Sequence, residues 1–199
     1  MKSNFYLGND VIEQVDQYEY LGVIFHKNGN FTVAWKNLYC KAMRAYFSLR
    51  KNFNIYNQVQ VKTLTSLFDT FIVPVLTYCS EIWGAFLSPN TRGKATFTKN
   101  LFNDSQPLEK LHIRFCKQVL GIHSKGSNYG CRSELGRIPL SINIYCTLLK
   151  YWFRLVSSES NTVIYKALLA NNMLFHRSRP CWLTKVDFLL NLYNKYKIC

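Results

Sequence analysis

The hydrophobic pattern changes period early in the chain. FYLGNDVIEQV and YEYLGVIFH are rich in aromatic and β-branched residues and read as strand segments. KNGN follows, and its Asn28-Gly29 pair is favoured in tight hairpin turns, so the turn of the hairpin is expected there. From Val33 to Lys51 the period becomes helical. Trp35, Leu38, Tyr39, Ala42, Tyr46 and Leu49 fall on one apolar stripe, with Asn37, Lys41, Arg44, Ser48 and Lys51 opposite. This helix is expected to have a core face and a basic face.

A second helix is expected from about Gln58 towards Pro74, burying Val61, Leu64, Phe68, Phe71, Ile72 and Val75. Asp69 would then lie in a buried helix. Pro74 should kink or end it, because proline lacks the backbone donor that a helix interior uses. SPNTRGKATFTKNLFNDSQ is polar and aperiodic, so residues 88–106 are expected to form a long exposed loop. A third helix begins at Pro107, with Leu108, Leu111, Phe115 and Val119 inward and Lys110, Arg114 and Lys117 on one outer face. SKGSNYGCRSELGR reads as another loop, and Pro139 suits a first helical position. The helix PLSINIYCTLLKYWFRLV should bury Ile142, Tyr145, Leu149, Trp152 and Val156. TVIYKALLA and WLTKVDFLLNLYNKY read as two shorter helices.

The expected fold class is therefore mainly α, a short N-terminal β-hairpin followed by a helical bundle. The organisation is residues 1–32 as the β element, 33–87 as a first helical region, 88–106 as the loop and 107–199 as a second helical region. An isolated hairpin is marginal in water. The opening strands thus read as the end of a sheet supplied mostly from elsewhere.

Charge narrows the partners. The 199 residues hold 25 Lys+Arg against 11 Asp+Glu, a net charge of +14, which attracts polyanions such as nucleic acid or an acidic membrane surface. The most apolar window, Leu64 to Leu87, contains Asp69, Pro74 and Glu81. Two carboxylates argue against a bilayer span of about 20 apolar residues, so no membrane partner is expected. The seven cysteines are odd in number and none are spaced Cys-x-x-Cys, and MKSNFYLGND reaches Gly, Asn and Asp before any apolar run. A reduced intracellular protein, cytoplasmic or nuclear, is the expectation.

Candidate chemistry is sparse. His112, Cys116, His123 and Cys131 come nearest to a metal-ligand set, but structural zinc sites favour tighter pairing of ligands. A histidine beside apolar positions is more often a core residue. Nothing orients His112 or His123 as a base for Cys116, and LGND and SKGSNYG lack the pattern of a phosphate loop. The aspartates Asp10, Asp16, Asp69, Asp104 and Asp187 are scattered, with no adjacent pair.

VDQYEYLGVIFHKNGNF, KAMRAYFSL, VPVLTYCSEIWG, LEKLHIRFCKQVLGIHSKGSNYGCRSELGRIPL and YWFRL occur in order from about Phe5 to about Val156. Together they resemble the C-terminal part of the reverse transcriptases of non-LTR (LINE-type, jockey-like) retrotransposons. The resemblance implies that Tyr20, Leu21 and Gly22 belong to the hairpin that grips the primer at the end of the palm. It implies that the helices after them form a thumb, which holds an RNA–DNA primer–template duplex by its backbone, followed by a post-thumb region. The family often has Gly where this chain has Cys79, and a small apolar residue where it has Cys131.

Polymerisation needs two metal ions held by palm carboxylates, including an Asp-Asp pair. No such pair occurs, so no catalytic residue is assigned and no cofactor is expected in this chain; the divalent metal would bind a palm lying upstream. The partners implied are RNA and DNA, with a palm- and fingers-containing polypeptide for any catalysis. Within the resemblance, Lys41, Arg44 and Lys51 form one row for phosphate contact and Lys110, Arg114 and Lys117 a second. A solvated helix face is the competing explanation of each row, and a sheet edge with a bulge at Gly22 is that of Tyr20-Leu21-Gly22. Three readings follow: a nucleic-acid-binding polymerase fragment, an inert or protein-interacting helical remnant, and an enzyme completed by a partner chain.

Overall fold

Two short antiparallel hairpins open the chain and helices make up the rest. The computed structural model describes residues 5–52, 59–87, 103–160, 162–177 and 181–196. Strand β1 (Phe5–Leu7) pairs with β2 (Asp10–Ile12), and β3 (Gln17–Tyr20) pairs with β4 (Val23–His26). In the second hairpin Tyr20 lies opposite Val23, so the turn is Leu21-Gly22, with φ of +47° and +80°. Two consecutive left-handed residues match the twist of the flanking strands.

The turn expected at Asn28-Gly29 is therefore elsewhere, and YEYLGVIFH is two strands rather than one. Asn28-Gly29 instead hands β4 to the first helix. The Gly29 N–H donates to the His26 carbonyl at 2.9 Å, and the Asn30 side chain accepts from the Thr32 N–H at 2.8 Å.

Helix α1 (Thr32–Asn52) buries Ala34, Leu38, Ala42 and Tyr46, in line with its apolar stripe. Helix α2 (Val61–Phe71) buries Leu64 and Phe68, then breaks at Ile72. There α3 (Val73–Leu76) starts with Pro74 in its first turn, where a missing donor costs nothing. Val61 and Phe71 are exposed rather than buried, because the core takes the row Leu64, Phe68, Ile72, Leu76 at four-residue spacing. Asp69 stands on the exposed side of α2. The segments α4 (Ser80–Trp83) and a 3₁₀ turn (Gly84–Leu87) complete a tight corner.

Helix α5 (Pro107–Val119) buries Leu108, Leu111 and Phe115. The segment read as a loop after it contains a helix, α6 (Asn128–Glu134), whose N-cap Ser127 accepts from the Gly130 N–H at 3.2 Å. Two turns with glycines on both sides carry no period to read. Helix α7 (Leu140–Val156) starts one residue after Pro139. It buries Leu140, Ile144, Tyr145, Leu148 and Leu155. Of the stripe expected, Tyr145 is buried, Ile142, Leu149 and Trp152 are half-buried and Val156 is exposed. Helices α8 (Val163–His176) and α9 (Trp182–Tyr196) follow. The expected loop 88–106 lies outside the described residues, except 103–106, which turn into α5.

One buried cluster runs from Val23 and Phe31 through α1, α2, α5 and α7 to Leu183, Val186 and Leu189 of α9. The Trp182 indole N–H donates to the Glu81 carbonyl at 3.1 Å, so α9 covers the α4 corner. Among the described residues no single helix is long and apolar enough to cross a membrane. Val61–Leu76 and Ser80–Leu87 would suffice together but are bent by 61°, and Leu64, Phe68, Ile72, Leu76 and Trp83 of that pair lie in the protein core.

Candidate nucleic-acid interface

Helices α1 and α5 run side by side in the same direction. Trp35, Leu38 and Tyr39 near the start of α1 share a small cavity with Pro107 and Leu108 at the start of α5. Two to three turns on, the Tyr46 hydroxyl donates to Gln118 and the Arg114 guanidinium lies over the Phe47 ring, 5.3 Å from its centre. Phe47 is one helical turn from both Arg44 and Lys51. The stacked Arg114 thus joins the two basic rows, which the sequence left separate, into one surface. Helix α1 contains no carboxylate, and the one carboxylate of α5, Glu109, is turned into the core.

The six basic candidates differ in how much of their charge is free. Lys41 is 3.7 Å from the Glu19 carboxylate of β3. Lys117 donates to the Ser124 carbonyl at 2.5 Å, closing the turn after α5. Among the described residues Arg44, Lys51 and Lys110 make no ion pair, and all three are exposed. The charge left most free on this surface is therefore that of Arg44, Lys51, Lys110 and Arg114.

The Lys41–Glu19 pair sets the β3–β4 hairpin beside this surface. Tyr20 and Leu21 are exposed at its tip, and Gly22 takes the second left-handed turn position. That tip is held from below by the corner that VPVLTYCSEIWG forms. The Tyr78 hydroxyl donates to the Leu21 carbonyl at 2.9 Å. Cys79 follows at φ +53°, a conformation that favours glycine, and lets the chain reverse into α4. The Trp83 indole N–H donates to the Tyr78 carbonyl at 2.7 Å. A Cβ on Gly84 would meet Ile144 at 2.5 Å, so only glycine lets α7 approach this closely.

Sequence reasoning missed the polar core beneath α5. The Glu109 carboxylate accepts from Arg132 Nη2 at 2.7 Å through one oxygen, and from the Ser141 N–H at 3.0 Å through the other. One buried side chain thus ties α5 to α6 and caps the N-terminus of α7, where negative charge is favoured. Arg132 also reaches Asp104 at 2.7 Å, and Asp104 accepts from Asn128 at 2.7 Å. Alongside, Arg137 holds Asp69 through its two terminal nitrogens, at 2.6 Å through Nη1, and its Nε–H donates to His112 Nε2 at 3.4 Å. The signal available was Glu109 standing as the only acid in a basic helix.

These contacts account for the residues weighed as metal ligands or nucleophile. His112 is fully buried and stacks on Phe68. Cys116 and Cys131 are buried thiols, and His123 is exposed. Burial pushes the Cys116 thiol up to about 11, although Arg137 and Arg132 pull the other way, so at neutral pH it carries no thiolate. Among the described residues no three of His, Cys, Asp and Glu are grouped as metal ligands would be. The six described cysteines are all free.

Fold and site together define a mainly helical protein with a basic two-helix face beside a hairpin tip. The chain matches no protein-family model, no curated protein and no solved structure.

Proposed function

We propose that this chain is thumb-bearing C-terminal sequence of a retroelement reverse transcriptase, and that its own activity is sequence-independent binding of the primer–template backbone. The observation that carries the reading is the single basic surface of α1 and α5, built from Arg44, Lys51, Lys110 and Arg114 and bordered by the Tyr20–Gly22 tip. Backbone contact by such a surface positions a duplex without reading bases. The left-handed Cys79 adds support, because the resembled family often carries glycine at that position. No catalysis is assigned to this chain, which has no adjacent aspartates. Polymerisation would require palm carboxylates and their metal ions in addition to these residues.

The test is fluorescence anisotropy of an RNA–DNA hybrid with the purified chain across a salt series, beside an Arg44→Glu/Lys51→Glu variant shown by circular dichroism to be helical. Steep salt dependence is expected, and loss of two phosphate contacts should reduce its slope by about two. Feeble binding by the parent, or equal binding by the variant, overturns the reading. A second reading, a helical remnant whose contacts are with protein, is favoured by one observation: every residue from Phe5 to Leu21 is exposed.

A further inference from the structure

We propose that this chain associates head to tail with copies of itself, the acidic N-terminal hairpins of one copy seated on the basic apolar α7–α8 face of the next. The inference stands apart from nucleic-acid binding. It rests on two exposed apolar surfaces of opposite charge.

The first surface is the pair of hairpins. Phe5, Leu7, Val11, Tyr18 and Leu21 are exposed, Leu7 at 74%, and the β1–β2 ribbon is exposed on both faces. A two-stranded ribbon of this kind is marginal by itself, and its free edges invite a partner. From Phe5 to His26 the chain carries Asp10, Glu13, Asp16 and Glu19 and neither lysine nor arginine. Lys27 pairs with Asp16 and Lys41 with Glu19. Asp10 and Glu13 make no ion pair among the described residues, and they define the sign this surface presents.

The second surface is the outer side of α7 and α8. Phe153, Val156, Val163 and Met173 are exposed there, Val163 at 81%. Lys150, Arg154 and Lys166 stand among them, with Arg154 lying over the Tyr151 ring at 5.1 Å. The one carboxylate from Leu140 to Arg177 is Glu159, in the connection between the helices. Exposed apolar area on this scale marks contact surfaces. The α1–α5 face is also basic, but the exposed ring at its seam, Phe47, is already covered by Arg114. Charge alone would allow either face; apolarity selects α7–α8.

Because the two surfaces differ, the contact is heterologous and does not close on itself as a dimer does. Sedimentation velocity of the whole chain should show species that grow with concentration and shrink with added salt. Two charge swaps test the pairing: Asp10→Lys/Glu13→Lys on the hairpins and Lys150→Glu/Arg154→Glu on α7. Each swap alone should weaken association about tenfold or more, since like charges then face each other. Mixing the two variants should restore a one-to-one complex, which a misfolded variant would not do. The neutral forms Asp10→Asn/Glu13→Gln and Lys150→Gln/Arg154→Gln should each give a smaller loss. A monomeric parent at every concentration, a closed dimer indifferent to both swaps, or a mixture that stays apart overturns the proposal.

Discussion

The Tyr78 hydroxyl donates a 2.9 Å hydrogen bond to the Leu21 carbonyl, across 57 residues of sequence. Two stretches of the chain that look unrelated in sequence thus meet at the hairpin tip. Tyr78→Phe removes this bond together with the hydroxyl's contact with the Cys79 thiol. The bond is exposed, so its loss should cost near the lower end of the usual 0.5–1.5 kcal/mol, about 0.5. Amide exchange in the β3–β4 ladder should quicken by about twofold, while exchange in α1 and α5 stays as it was. Unchanged ladder exchange would mean that Tyr78 does not hold the tip.

Cys79 sits at φ +53°. The left-handed conformation costs a side-chain-bearing residue roughly 1–2 kcal/mol, whereas glycine loses about 0.5–1 kcal/mol of chain entropy instead. Cys79→Gly should therefore be neutral or stabilising, by no more than about 1.5 kcal/mol. Cys79→Val, β-branched at positive φ, should destabilise by about 1–3 kcal/mol. Urea midpoints of the two variants decide it, and a valine tolerated better than glycine would contradict the geometry.

Glu109 and Arg132 form a buried ion pair at 2.7 Å. Removing one member takes away one partner of the other, although Arg132 keeps Asp104 and Glu109 keeps the Ser141 N–H, so the loss should lie towards the lower end of about 3–5 kcal/mol. Arg132→Met and Glu109→Leu should each fall in that range, and the double variant should be more stable than either. A double variant whose loss equals the sum of the two would show that the charges do not depend on each other.

Cys116 has its folded value raised by burial from 9.0 to about 11. In the unfolded chain the thiol ionises near 9, so the folded state binds the extra proton between those values. Stability is therefore fully present below pH 9 and falls as pH rises towards 11. Cys116→Ala should flatten that alkaline slope in thermal melts followed by circular dichroism. Iodoacetamide should modify the exposed Cys40 and Cys146 in the native protein, and reach Cys116 and Cys131 only once the chain unfolds.

Periodicity served where a helix has one apolar stripe. Leu38, Ala42 and Tyr46 of α1, and Leu108, Leu111 and Phe115 of α5, could be placed from sequence because polar residues fill the opposite side. It misled on α7, where apolar residues flank the polar row Asn143, Thr147, Lys150 and Arg154 on both sides, so more than one stripe fits and contact with Gly84 decides which is buried. The hairpin turn was misassigned because Leu21-Gly22 is an unusual left-handed pair beside the commoner Asn28-Gly29. The basic residues of the candidate site were legible as two helical rows. Their union was not, because it depends on how α1 and α5 pack at Phe47 and Arg114. Nor was the Glu109–Arg132 pair, a tertiary contact between two helices of which one, α6, is too short to show a period.

The contact between Trp182 and Glu81 also sets an order of events during synthesis. The two residues are 101 positions apart, and a ribosome adds about 5–20 residues per second. For roughly 5–20 seconds the α4 corner is out of the decoding centre before its cover has been made. In that interval an apolar corner is open to aggregation or to chaperones. Premature termination anywhere before Trp182 makes that temporary state permanent.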